Sequence, residues 1–348
     1  MNLKINSIRP ASDDEWDAVW EDCEYATYFH SREWADIWNV YSNGNISTFP
    51  QFITFSDGRE CLLPISIQRR FLGFLMVGLS SPAGTFGGWI SKDKLLAEHV
   101  ELMANYVTKR FRAVNWRVNP YDPNMPLSID KSARDDCTYS LDLNLGFDAI
   151  SGDWSKGRGS MARKIRKAAK AGVSVRFANK LEDWQSYYQV YEQSLRRWGD
   201  EASSSYKWAL FNDLFQRHSQ DIALWAAVRD GKIICGAICF YSKKHVVYWH
   251  GAALQEHFNL RPVNLLMSEI IRNACEREYR WFDFNPSGGH EGVTSFKKSF
   301  GAKPLPSPSV VVLPRLTKTV MKAQGKANGA LKKIKKFYSS DSDEVRNP

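Results

Sequence analysis

Apolar side chains recur along this chain with two periods, one near 3.6 and one of 2, and the switches between them mark out the expected elements. Asp13-Asp14-Glu15 opens a helix bearing Trp16, Val19 and Trp20, its acids placed at the positive end of the helix dipole. A second helix begins at Ser31-Arg32-Glu33-Trp34 and runs through Ala35, Ile37, Trp38 and Tyr41. Pro50–Phe55 and Cys61–Gln68 flank Ser56-Asp57-Gly58-Arg59 and read as a hairpin. Leu95–Arg110 has a helical period, Ala113–Asn119 is a short strand ending at Pro120, and Thr138–Leu143 alternates as a strand.

The pattern then starts again. Ser160–Ala171 predicts a strongly basic helix stopped by Gly172, followed by a strand over Val173–Ala178. Leu181–Trp198 is a helix with an aromatic face, and Tyr206–His218 is a further helix. Ile222–Val228, Ile233–Tyr241 and His245–His250 predict three antiparallel strands, the first two joined by the turn Asp230-Gly231. The long amphipathic helix Pro262–Arg277 and the strand Trp281–Phe284 complete the set. Both halves share a coarse strand–helix order, so the expected fold class is α/β with mixed sheets, in two lobes of related shape. The expected division is residues 1–150, residues 151–312 and a basic tail over 313–348, and 348 residues suit two domains. A meander, a helix and another strand, as in the second half, is the element order of acyl-CoA acyltransferases; by itself that order carries no chemistry.

The net charge of +9 gathers in two places: Lys156-Gly157-Arg158 through Lys170, and Arg315 to Lys336, which holds eight basic residues and no acid. Such patches attract phosphates, nucleic acid or anionic lipid, or serve as solvated helix faces. In the tail, Leu316, Val320, Leu331, Ile334 and Phe337 interleave with the lysines, while Gly325 and Gly329 weaken a helix. Peripheral contact with an anionic membrane and a frayed solvated tail are the two readings. The start of the chain shows no apolar signal core, and the longest apolar run, Phe71–Leu79, is half of what a membrane span needs. The expected location is therefore cytoplasmic. Six cysteines lie scattered without CxxC spacing; Cys235 and Cys239 fall on one strand face as small core residues. No zinc motif, P-loop or Ser/His/Asp spacing is present, and no metal is expected.

Two segments bear on chemistry. Acyl-CoA enzymes of this element order open their central helix with a glycine-rich turn that cradles pyrophosphate. Here the junction reads Gln255-Glu256-His257-Phe258-Asn259-Leu260-Arg261-Pro262-Val263, without glycine, leaving the helix N-terminus and Arg261 as an anion site. The second segment runs from Asp283 through Gly288-Gly289-His290-Glu291-Gly292 to Phe296-Lys297. A lysine on a short helix suits the oxyanion of acyl transfer, against the alternative of a solvated lysine pair. His250, at the end of a strand, is either a base for the attacking amine or a packed histidine.

Tyr248-x-x-Gly251-Ala252, Pro262-x-x-Leu265-Leu266, Asp283-Phe284 and Gly292-x-x-x-Phe296-Lys297-x-x-Phe300-Gly301 together resemble the C-terminal lobe of FemAB-like transferases of the GNAT superfamily. Arg163-Lys164-Ile165-Arg166-Lys167-Ala168 through Val175 is similar to their inter-lobe helix and strand, and Ser194-x-x-Arg197-x-Gly199 to the end of their next helix. Ser31-x-x-Trp34 and Ser81-Pro82-x-Gly84-x-x-Gly87-Gly88 extend the likeness to the first half. The resemblance implies two tandem acyltransferase lobes around a cleft. It also implies transfer of an acyl or aminoacyl group, from aminoacyl-tRNA or acyl-CoA as co-substrate, to an amine of a cell-envelope or glycan precursor. By it, Lys297 faces the oxyanion, Phe296 packs on the donor's terminal nucleoside and Arg197 lies near acceptor phosphates. Asp283 orients the loop or ends a strand, and Tyr248, Arg261 and Trp38 join the substrate-binding set. A lysine of the first lobe falls near Trp38 here, a cleft tyrosine is replaced by His250, and Leu181–Ser219 has no room for a helical arm. A silent binding protein for a glycan or nucleic acid is the alternative from another class, and an RNA-binding module, made primary by the charge, is a second.

Overall fold

The computed structural model describes residues 2–71, 73–124, 133–155, 160–199, 202 and 204–312. The basic residues Lys156 and Arg158 and the tail 313–348 lie outside the described residues.

Two mixed sheets form the frame. The first runs in the order β1 (Ile5–Pro10), β2 (Ile46–Phe55), β3 (Glu60–Arg70), β4 (Leu75–Leu79), β5 (Ala113–Arg117) and β13 (Ser309–Val312). The second runs β12 (Lys303–Pro306), β6 (Cys137–Asp142), β11 (Trp281–Asp283), β10 (His245–Ala253), β9 (Lys232–Ser242), β8 (Ile222–Arg229) and β7 (Ser174–Phe177). Each contains one parallel pair, β4 with β5 and β10 with β11. Parallel neighbours need a crossover, supplied by helix α3 (Ala97–Arg110) in the first sheet and α8 (Pro262–Glu276) in the second. The remaining helices are α1 (Asp13–Asp22), α2 (Arg32–Tyr41), α4 (Gly146–Asp153), α5 (Met161–Lys170), α6 (Leu181–Trp198), α7 (Trp208–Gln216) and α9 (Glu291–Lys298).

Local chemistry explains the helix starts. Ser12 and Glu15 form a reciprocal capping box on α1, and Ser31 Oγ accepts from the Trp34 N–H on α2. Strands β1, β4, β12 and β13 escape the periodicity argument for separate reasons. A register shift between Ile5 and Ser7 interrupts β1, and β12 is a four-residue edge strand containing two prolines. The sheets also trade strands across the expected boundary: β6 lies in the second sheet, and β13 returns to the first.

One hydrophobic cluster belongs to both sheets. Tyr28, just before α2, stacks on Phe240 of β9 with ring centroids 4.4 Å apart and planes 4° apart. Trp34 meets Phe240 at 5.2 Å and Trp249 of β10 at 5.7 Å, and Trp38 meets Tyr206 at 5.8 Å. Val77 and Leu79 of β4 join the same cluster as Leu224 of β8 and Tyr187 of α6. The other clusters are local: one under α1, one under α3, and one under α8 that takes in Cys235 and Cys239.

Two histidines are sealed close to this seam. His30 accepts from the Thr27 N–H at 3.1 Å, and His245 packs edge-on to Tyr121 at 4.2 Å. Burial pushes the His30 pKa down to about 4 and that of His245 to about 3. In the unfolded chain both imidazoles take up protons below about pH 6.5, whereas the native ones stay neutral. The depressed native values therefore contribute stability that is complete above about pH 6.5 and is lost as pH falls toward 4. Each histidine is expected to add up to about 1.4 kcal/mol of lost stability per pH unit in that window. Urea unfolding between neutral and mildly acidic pH checks this, and His245→Asn should show a shallower acid slope than the native chain.

Candidate active site

β10 and β11 pair through only three residues, His245–Val247 against Trp281–Asp283. Beyond them the chain after β11 turns away, and a cleft of about 460 Å³ opens in the gap. Ala83, Gly84 and Thr85, which follow β4, form its wall on the side of the first sheet. The register of β10 slips between Tyr248 and His250, so Trp249 is an extra residue opposite β9. A regular strand would alternate its side chains; across this bulge Tyr248, Trp249 and His250 all line the cleft. Gly251 makes the arrangement fit, because a Cβ there would stand 1.9 Å from Tyr248 Oη.

Lys297 projects from α9 into the cleft and is only 3% exposed. Its Nζ donates to the Asn285 carbonyl. Burial draws its pKa down to about 8, against the opposing pull of the negative charge on Asp283. Asp283, wholly buried, accepts from Tyr121 Oη at 2.6 Å, from Thr138 Oγ1, and from the Asn285 N–H at 2.6 Å. Burial raises the Asp283 pKa while those donors hold the carboxylate. Asn285 is thus the hub: its N–H reaches Asp283, its carbonyl takes Lys297, and its Nδ2 donates to the Tyr248 carbonyl at 3.0 Å. It sits at φ +60°, a left-handed conformation that asparagine tolerates better than most residues. Asn285 Oδ1 and Ser287 Oγ are buried without a protein partner, and both residues line the cleft. No aspartate or glutamate is among the described residues lining it.

His250 is held from behind. Its Nδ1 lies 2.7 Å from Tyr187 Oη, and its ring is enclosed by Tyr191 at 4.5 Å and Phe211 at 5.3 Å. Gly236 on β9 gives the Tyr187 ring its place, since a Cβ there would come within 2.4 Å of it. Burial pushes the His250 pKa down to about 3, so the ring is neutral. The phenol of Tyr187 is fully buried and has a single proton to place. Donating it to Nδ1 satisfies both groups, whereas the reverse bond strands the hydroxyl proton. Nε2 then carries the ring hydrogen. Of the two readings of His250, a base or a packed histidine, the ring is packed and hydrogen-bonded, and with Tyr187 donating to Nδ1 its other nitrogen is a donor.

The other sequence candidates separate. Tyr248 lies on the cleft floor. Arg197 lines a smaller cavity of about 170 Å³ behind Tyr248, donating to the Ala253 carbonyl at 3.1 Å and covering the Phe258 ring at 4.8 Å. Phe296 packs away from the cleft on Phe300, 5.1 Å between centroids, because it falls on the core side of α9. Trp38, 6% exposed, belongs to the shared aromatic core and does not line the cleft. Arg261 is exposed at the start of α8, with φ +65°, and also lies outside the cleft lining. At the junction where the sequence lacks the glycine-rich turn of acyl-CoA enzymes, the chain forms a 3₁₀ helix, Gln255–Leu260. Sequence reasoning missed Asn285, Tyr187, Tyr206 and Ser287. Asn285 offered a signal, an asparagine where a strand gives way to a glycine-rich loop; the others offered none.

Residues 155–298 match the family model described as an acetyltransferase (GNAT) domain. The matched stretch holds strands β7 to β11 and helices α5 to α9, and acyltransferase is the class that this match supports. The fold is FemAB-like: the chain is similar to FemX with a TM-score of 0.67 at 11% identity, covering 90% of this chain and 99% of that one. The C-terminal domain of a protein described as a lysylphosphatidylglycerol synthetase, from Agrobacterium fabrum, is similar at TM-score 0.56 and 14% identity, over 90% of this chain and 97% of that one. L-PGS from Bacillus licheniformis gives 0.55 and 13%, over 90% and 96%. No curated protein matches the chain. Among the described residues, none group as a metal site and no helix is long and apolar enough to cross a membrane.

The tautomer of His250 can be read directly. Two-dimensional ¹⁵N spectra of the imidazole are expected to show Nε2–H and a bare Nδ1, with Tyr187→Phe redistributing the two tautomers. A native spectrum with the hydrogen on Nδ1 would reverse the assignment.

Proposed function

We propose that the protein is an N-acyltransferase in which the Lys297 ammonium stabilises the oxyanion formed when an amine attacks an activated acyl group. The observation that carries this reading is a desolvated lysine held at the cleft by the Asn285 carbonyl. A cation with little water around it acts far more strongly on developing charge than one on the surface. The amine nitrogen forms the new bond to the carbonyl carbon, the ester or thioester bond breaks, and the leaving group takes the electron pair and a proton from the amine. His250 Nε2–H supplies a second, neutral donor in the same cleft, suited to a carbonyl or phosphate oxygen of the substrates.

Two donors fit the class. GNAT domains commonly use acyl-CoA, whereas the 3₁₀ helix ahead of α8 lacks the open glycine turn that a pyrophosphate needs. We favour aminoacyl-tRNA on that ground. The acceptor we propose is an amine on a cell-envelope or glycan precursor. The cleft suits it with Tyr206 and Trp249 stacked 5.5 Å apart as an apolar wall, and with the unpartnered Asn285 Oδ1 and Ser287 Oγ as polar contacts. Arg197, Arg261 and Phe296 would then act outside the main cleft.

Single-turnover transfer tests this, with aminoacyl-tRNAs and acyl-CoAs as donors and amino sugars and muropeptides as acceptors. Lys297→Ala is expected to slow transfer by about 10²–10³-fold with the melting profile retained. An unchanged rate would remove Lys297 from the mechanism. The pH profile gives a second check. The Lys297 cation is present below about pH 8 and is lost above it, so the native rate should fall on the alkaline side. Lys297→Arg, always charged, should lack that falling limb whatever its absolute rate.

A further inference from the structure

One end of the first sheet gathers features that the cleft does not use. The strand registers bring together the end of β3, the start of β4 and the start of β5, since Arg70 faces Leu75 and Val77 faces Ala113. Arg69, Arg70, Lys109, Arg110 and Arg112 all lie there, all exposed. The segments that meet at this end, 43–46, 68–77 and 107–114, contain no aspartate or glutamate. At the apex of the β3–β4 hairpin Phe74 is 91% exposed, and Met76 beside it is 48% exposed. The apex is a held turn: the Gly73 N–H donates to the Arg70 carbonyl and the Phe74 N–H to the Phe71 carbonyl, each at 3.1 Å. Phe71 at φ +52° and Gly73 at φ +93° bend the backbone there.

A phenylalanine left in water at a turn apex, ringed by cations and no acids, matches the boundary of an anionic bilayer. Apolar groups enter the acyl region there and arginines remain among the headgroup phosphates. The geometry points to this sheet end as a membrane-docking face, with Phe74 as the inserting residue and the five basic side chains as its electrostatic collar. β13, antiparallel to β5, runs toward the same end, where its last residue, Val312, lies opposite Val114. The sequence that follows it carries eight basic residues and no acid up to Lys336. Nucleic acid would use the charge but gain nothing from the protruding Met76, so lipid is the partner the surface favours. β4, five residues and roughly 17 Å long, leads from this end toward the cleft wall at Ala83–Thr85. A docked enzyme would hold its cleft close above the lipid surface. The inference does not depend on the acyl donor or on Lys297.

Co-sedimentation of the full chain with vesicles tests it, comparing pure phosphatidylcholine with vesicles of about one-third phosphatidylglycerol. The native chain is expected to bind only the anionic vesicles. Phe74→Asp, and separately the pair Arg69→Glu and Arg70→Glu, should each weaken binding by about tenfold or more, while Phe74→Trp retains it. Circular dichroism of each variant confirms the fold, which an exposed turn does not support. Indifference of the native chain to anionic lipid would overturn the proposal, as would variants that bind like the native chain. Loss of tRNA binding in the variants with vesicle binding intact would assign the face to nucleic acid instead, and the lipid reading would fall.

Discussion

Everything at the cleft depends on the aromatic contact between the two sheets. Tyr28 on Phe240 and Trp34 against Phe240 and Trp249 make the sheets share a single core, so neither can shift without opening it. Aromatic pairs of this kind add about 0.5–1.5 kcal/mol each beyond the area they bury. Their larger effect is geometric. Trp249 belongs both to the seam and to the cleft lining, and Tyr121, from the chain after β5, reaches across to Asp283. The seam therefore sets the distance between the Ala83–Thr85 wall and Lys297.

The cleft keeps a cation where water is scarce, an arrangement with an energetic cost. The carboxylate that acts most strongly on Lys297, Asp283, is saturated by three donors, and Lys297 is left bonded to a carbonyl. A direct ion pair would have neutralised the ammonium. Interposing Asn285 keeps the charge positive yet available, with the strain of a left-handed asparagine as part of the cost. The neutral His250 complements this, because a second positive charge in so enclosed a space would lower the Lys297 pKa further.

Much of the frame was legible in the sequence. The helices with strong apolar periods, such as Leu181–Trp198, and the meander before α8 follow from spacing and turn residues alone. The motif Tyr248-x-x-Gly251 also has a physical meaning: the glycine vacates the space that the tyrosine ring crosses. Short edge strands carry too few residues to show a period, so β12 and β13 were not visible. Side-chain direction was harder still. Phe296 and Lys297 are adjacent in sequence, but on a helix they point about 100° apart, and only the fold decides which one meets the cleft. Trp38 entered the substrate set because a lysine of the family's first lobe falls near it; its ring instead packs edge-on to Trp34, Tyr41 and Tyr206, and the last of these lies far along the chain. The Tyr187–His250 pair joins residues 63 apart, and no local pattern announces it.

The exchange of edge strands has a consequence for how the chain is made. β5 receives its outer partner, β13, only after about 190 further residues have been synthesised, since Arg117 pairs with Ser309. At about 5–20 residues per second, the first sheet waits roughly 10–40 s on the ribosome with that edge unpaired. The first sheet thus cannot close before nearly all of the second has emerged, and the two halves are obliged to mature together.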